Sequence, residues 1–152
     1  MNIGDIILLL NAGSTWFMVG LIWFVQVVHY PLFNRVQGEH HDEYHHQHQV
    51  RTTWVVGPPM LIEAFTSVLL VWYQPVSNTP LLLLGVALLF LIWVSTALLQ
   101  VPCHGELATG FDQKAYRQLV LTNWVRTLAW SLRGALVIYL LACGVGSSVV
   151  GL

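Results

Sequence analysis

Charged side chains are scarce in this chain: Asp, Glu, Lys and Arg make up 9% of its 152 residues, where a soluble domain carries about a quarter. That shortage excludes an ordinary water-facing surface. Six Lys and Arg stand against seven Asp and Glu. No basic patch is therefore available to displace phosphate counterions, and a nucleic-acid partner is not expected. Cys103 and Cys143 lie far apart with no CxxC spacing, which excludes a disulfide framework. No Lys or Arg precedes the first apolar run, which outlasts the h-region of a signal peptide and ends at no convincing cleavage site. It reads as a first transmembrane helix. A P-loop, a GxGxxG after a strand, GxSxG and HExxH are all missing, so no soluble-enzyme motif competes.

What the chain does have is apolar mass: 56% of it is hydrophobic and seven residues are tryptophan, a side chain that favours the membrane interface. Mean hydropathy is +0.66. Crossing the hydrocarbon core takes about 20 apolar residues as a helix. Four segments qualify, at residues 6–29, 54–73, 81–101 and 119–142. The Pro, Ser and Asn of 74–80 form a short turn that makes the second and third helices antiparallel neighbours. The expected fold is all-α, a single integral membrane domain over residues 1–152. It is an up-down-up-down transmembrane bundle with a His-rich loop or short helix between its first two spans. The remaining alternative is that one segment is partly re-entrant.

Loop cations fall on one side of the membrane. Arg35 and Arg51 flank the first loop and Lys114 and Arg117 occupy the third, whereas the opposite side carries only Asp5 and uncharged segments. The positive-inside rule then puts both termini outside and the His-rich stretch in the cytoplasm of a cell with this protein in its inner (plasma) membrane. A reporter fused to the C-terminus should be labelled from outside; cytoplasmic labelling would overturn this orientation.

Polar residues within the helices form stripes. Asn123, Arg126, Trp130 and Arg133 share one helix face, and Asn11, Thr15, Met18, Gln26 and His29 fall roughly on another. Thr96 and Gln100 lead to Cys103 and His104 beyond Pro102, expected to break the helix, and Glu63 is followed by Ser67 one turn on. Ionisable groups at this depth are costly unless they face the bundle interior, so the stripes should point inward. Counted along the helix axis, Glu63 and Arg133 are the only deep opposite charges. They should form a buried ion pair or share a network, with Gln26 and Asn11 available to complete it. Such a pair serves equally well to fix register or to carry chemistry.

The histidines carry the other candidate chemistry. Five of the seven lie between Glu39 and Arg51. If that segment is helical, His41, His45 and His48 share a face, and histidines one turn apart suit a bidentate metal site. His40 and His46 lie off that face. Gly57, Pro58 and Pro59 should interrupt or kink the following helix and free backbone carbonyls there. The bundle topology brings His29, the loop histidines, Gln100, His104, Asn123 and Arg126 to one mouth. Blander roles stay open: a solvated linker for the loop, an interfacial side chain for His29, a cap for His104 and a snorkelling cation for Arg126.

Size, four spans and the run Asn123-Trp124-Val125-Arg126-Thr127 resemble the anthrone-oxygenase-like family of small membrane proteins. Trp23-Phe24 followed by a histidine and a proline, and Gly57-Pro58-Pro59-Met60, resemble the bacterial four-helix protoporphyrinogen oxidases and their copper-resistance-type relatives. These resemblances imply redox chemistry on a hydrophobic substrate, and the second implies histidine-held haem. Here Asn11 stands in the outer half of the first helix, so His29 would have to serve from the other end. The leading expectation is an oxidoreductase with iron, copper, zinc or b-type haem held by some of His29, His41, His45, His48 and His104. Gln100 and Asn123 would bind the cofactor or the substrate's polar end, and Glu63, Arg126 and Arg133 would act on a lipophilic molecule arriving from the lipid bilayer. The alternative is a non-enzymatic membrane subunit or metal carrier; an oligomer is compatible with either.

Overall fold

The computed structural model describes residues 2–33, 35, 41–73 and 78–149, with side chains described to residue 143 and none for His41 and Asp42. Four helical spans, Ile3–Phe33, Glu43–Tyr73, Thr79–Leu107 and Gln113–Cys143, are each long and apolar enough to cross a membrane. They pack as a four-helix bundle, and no strand occurs among the described residues. The first span is α1 (Ile3–Phe24), a π-helical turn (Val25–His29) and α2 (Tyr30–Phe33). The second is α3 (His41–Tyr73). The third is α4 (Thr79–Ser95), a second π turn (Thr96–Gln100) and α5 (Val101–Leu107), and the fourth is α6 (Gln113–Val149).

Local chemistry sets the helix starts. Asn2 caps α1 reciprocally with Asp5, each side chain accepting the other's backbone N–H at 2.9 and 2.8 Å. The Asp112 carboxylate accepts from the Ala115 N–H at 2.6 Å at the start of α6, and Gly110, with φ of 142°, turns the chain into it.

The stretch from His41 takes the helical one of its two expected forms, as the opening turns of α3, while residues 36–40, with His40, and residues 74–77 of the short turn lie outside the described residues. Two corrections to the expected elements share a feature, the persistence of helix through proline. Pro58 and Pro59 do not interrupt α3, which continues through both; each removes one donor and leaves the carbonyl four residues back without its helical bond. Pro102 does not break its helix either. In both other proline-bearing spans a π turn ends two residues before the proline, Pro31 in one and Pro102 in the other. The wider turn makes room for a ring that would strike the preceding carbonyl in a regular helix.

The core is layered. Leu8, Ala12, Leu70, Leu82, Val137 and Leu140 form one apolar layer. Met18, Val19, Ile22, Met60, Ile92 and Trp130 belong to the middle one, and Tyr30, Phe33, Cys103, Leu107 and Leu119 to the third, at the histidine end. Spans approach closely where a side chain is missing: a Cβ on Gly134 would come within 3.2 Å of Val19 and 3.3 Å of Trp16, and one on Gly85 within 3.3 Å of Leu136. Trp54, Phe65, Trp72 and Phe90 lie on the outside, an apolar surface suited to lipid.

Candidate functional site

Two polar layers separate the three apolar ones. The deeper holds Glu63 and Arg133, both buried, with Arg133 Nε 2.8 Å from Glu63 Oε1. Thr15 donates to the same oxygen at 2.7 Å, and Trp130 Nε1 donates to Oε2 at 3.0 Å. Arg133 also donates to Ser67 Oγ at 3.0 Å and to the Gly85 carbonyl. Asn11 Nδ2 reaches Thr66 and Ser67 at 2.8 and 3.0 Å. The expected pair is present and Asn11 completes its surroundings; Gln26 does not, having joined the other layer.

That second layer runs from Gln26 to His104. Gln26 Oε1 accepts from Asn123 Nδ2 at 2.7 Å, and Asn123 Oδ1 accepts from Arg126 Nε and Nη2 at 3.0 and 2.5 Å. Arg126 reaches the Tyr30 hydroxyl and Thr96 Oγ1, each at 3.4 Å. Tyr30 in turn contacts His104 Nε2 at 3.3 Å. The inward stripes of the sequence are largely realised, for Asn11, Thr15, Gln26, Glu63, Ser67, Gln100, Asn123, Arg126 and Arg133 are each buried, while His29 and Thr96 are half-buried.

The histidines gather around Phe33, whose ring centroid lies 5.3 Å from His29, 4.1 Å from His45, 5.4 Å from His48 and 6.3 Å from His104. His29 and His48 stack at 4.4 Å, and His48 and His104 are 6.0 Å apart. Two imidazoles sharing an ion at about 2.1 Å per nitrogen have centroids about 5 Å apart, so these separations are of the right size. Among the described residues, however, no three His, Cys, Asp or Glu side chains form a group that could hold a metal ion as they stand. His29 Nε2 and His104 Nδ1 are buried without a hydrogen-bond partner among the described residues, a state that a ligand would relieve. His46 is exposed, off the cluster, and the side chain of His41 lies outside the described residues.

Two cavities flank α3 at this level. One of about 310 Å³ lies against the first span, with Arg126, Tyr30 and Trp130 in its wall. The other, of about 570 Å³, lies against the third span and includes Gln100. His48, Thr52, Val56 and His104 border both. Gln100 donates from Nε2 to Thr122 at 3.0 Å, while its Oε1 is buried without a partner. Asn123 borders neither cavity and acts on Arg126 instead.

Sequence reasoning passed over two members of the site, Tyr30 and Phe33. Tyr30 joins the arginine to a histidine, and the available signal was a phenol wedged between His29 and Pro31 in an otherwise apolar run. Phe33 carried no polar signal at all. No protein-family model, curated protein or solved structure matches this chain.

Proposed function

We propose that this protein is a membrane-embedded oxidoreductase that takes a lipophilic substrate into the 310 Å³ cavity beside a transition-metal ion held by His29, His48 and His104, with His45 adjoining. The observation that carries this reading is the meeting of histidine rings from three separate spans at the wall of one cavity that also contains a buried arginine. Its volume falls at the lower end of the ~300–1,000 Å³ of small-molecule sites. Phe33 packs between the imidazoles at centroid distances of 4.1–5.4 Å, a spacing that suits a small ion among these rings. When bound, iron or copper would supply the electron-transfer chemistry, and the chain would supply ligands, orientation and a water-poor wall.

The up-down-up-down topology belongs to this reading, supported by Asn11 meeting Ser67 while His29 meets His48, the pattern of antiparallel neighbours. So does the orientation that places the histidine end in the cytoplasm. Glu63 and Arg133 take a structural part, since the hydrogen bonds of both are completed within the protein. The same three histidines support one second reading, a carrier or subunit that binds a metal without turnover.

The test is direct. Protein purified in detergent should retain near-stoichiometric iron or copper, show ligand-field or charge-transfer absorption without a Soret band, and oxidise a lipophilic quinol to the quinone when molecular oxygen is supplied to take up the two electrons and two protons. Metal retention without turnover selects the carrier. Metal-free, colourless protein that does not bind added iron, copper or zinc sinks both.

A further inference from the structure

Arg126 is a buried cation with an incomplete environment. It is 8% exposed, yet the one ion pair among the described residues belongs to Arg133 and Glu63. Every hydrogen-bond partner found for Arg126 is neutral: Asn123, Tyr30 and Thr96. A guanidinium held away from water within a membrane span is expensive without a counter-charge. The wall of the adjoining cavity supplies none. It contains two arginines, Arg126 at its inner side and the exposed Arg51, and no aspartate or glutamate.

The geometry of the guanidinium is uneven in an informative way. Asn123 holds the Nε and Nη2 side at 3.0 and 2.5 Å, but the contacts to Thr96 from Nη1 and to Tyr30 from Nη2 are both 3.4 Å, longer than the ~2.9–3.0 Å of a good N–H···O bond. One edge is fixed by the protein, and the Nη1/Nη2 edge is held only loosely. That loosely held fork matches the two oxygens of a carboxylate, which would replace the two long contacts with short ones. The wall has a polar end, with Tyr30 and the histidines near Arg126, and an apolar stretch from Met18, Leu21, Ile22 and Val25 on the first span to Val55 and Val56 on α3. Phe24 and Val55 of the same wall are exposed on the outer surface of the bundle, so the cavity reaches the lipid-facing side between these helices.

We infer that the cavity takes a lipophilic carboxylate, its head on the outer edge of the Arg126 guanidinium and its chain leaving between the first span and α3 into the bilayer. The inference rests on the cavity being the substrate site and does not need the metal. Asn123 and Gln26 are positioning residues here, holding the other edge of the guanidinium.

Lipid nanodiscs containing the full chain, titrated with radiolabelled palmitate, methyl palmitate and hexadecanol, test it. These three probes share a chain and differ in head charge. Palmitate should bind at least ten-fold more tightly than the ester or the alcohol. Arg126→Gln should remove that preference, and Arg126→Lys, which keeps the charge but loses the fork, should retain part of it. Equal binding of acid and ester by the unmodified protein overturns the carboxylate assignment while leaving a lipophile cavity in place. Failure of all three to bind overturns the cavity reading as well. Unchanged preference in Arg126→Gln places the acid elsewhere and overturns the assignment; if that variant does not fold, the comparison of probes on the unmodified protein still decides.

Discussion

Replacing Arg133 by methionine should cost the bundle about 3–5 kcal/mol, read as the free energy of unfolding in mixed detergent micelles. Glu63 is 0% exposed and its partner is 2% exposed, so neither charge has water to fall back on. Loss of the guanidinium also strips donors from Ser67 Oγ and the Gly85 carbonyl. Arg133→Met combined with Glu63→Leu should recover much of the loss, because no isolated charge then remains buried. Recovery stays incomplete, since Thr15 and Trp130 keep donors with nothing to donate to. A single variant within about 1 kcal/mol of the parent, or a double variant no better than the single one, would refute the closed pair.

The largest functional effect is expected at the opposite end. Substituting alanine for His48 or His104 should weaken the binding of iron or copper more than about 100-fold, since even the outer-shell partners of metal ligands are worth ~10–100-fold. His48 stacks on His29 and His104 sits 6.0 Å away, so each loss opens the middle of the cluster. His46→Ala is the control: its imidazole is exposed on the same helix and its loss should leave affinity unchanged. Metal content of the purified variants is the measurement. A His46 variant as impaired as His48 would move binding from the bundle interior to the surface of the helix.

Much of this architecture can be read from the chain alone, and the reasons are specific. Glu63 and Arg133 are found by counting, because a helix advances a fixed distance per residue and few charges lie deep enough to compete. The stripe of Asn123, Arg126, Trp130 and Arg133 survives intact because α6 carries it without proline or π turn. Gln26 faces inward as its stripe implies but is assigned to the wrong layer, because it lies eleven residues beyond Thr15, about 16 Å along the helix axis, and so meets Asn123 and not Glu63. The histidine stretch is legible as a loop or a short helix but not as continuous with the second span, because apolarity marks only the membrane-crossing part of α3 and its first turns are polar. Phe33, central to the histidine cluster, has nothing in its chemistry to separate it from the apolar residues around it.

The paired π turns bear on how this protein tolerates change in length as opposed to change in composition. Each is equivalent to one residue added to a regular helix. Take one residue out of Val25–His29 and the turn tightens to α, with Tyr30 and Phe33 keeping their phase relative to Met18 and Ile22. The same holds for Thr96–Gln100 ahead of Cys103 and His104. What such an excision removes is the room for the proline that follows. A deletion in the regular helix on either side has the opposite effect, swinging the whole helix end by about 100° and dispersing a site whose side chains are all still present. Among descendants of this chain, a segment one residue shorter between Phe24 and Pro31, or between Ser95 and Pro102, should therefore lack the proline as well.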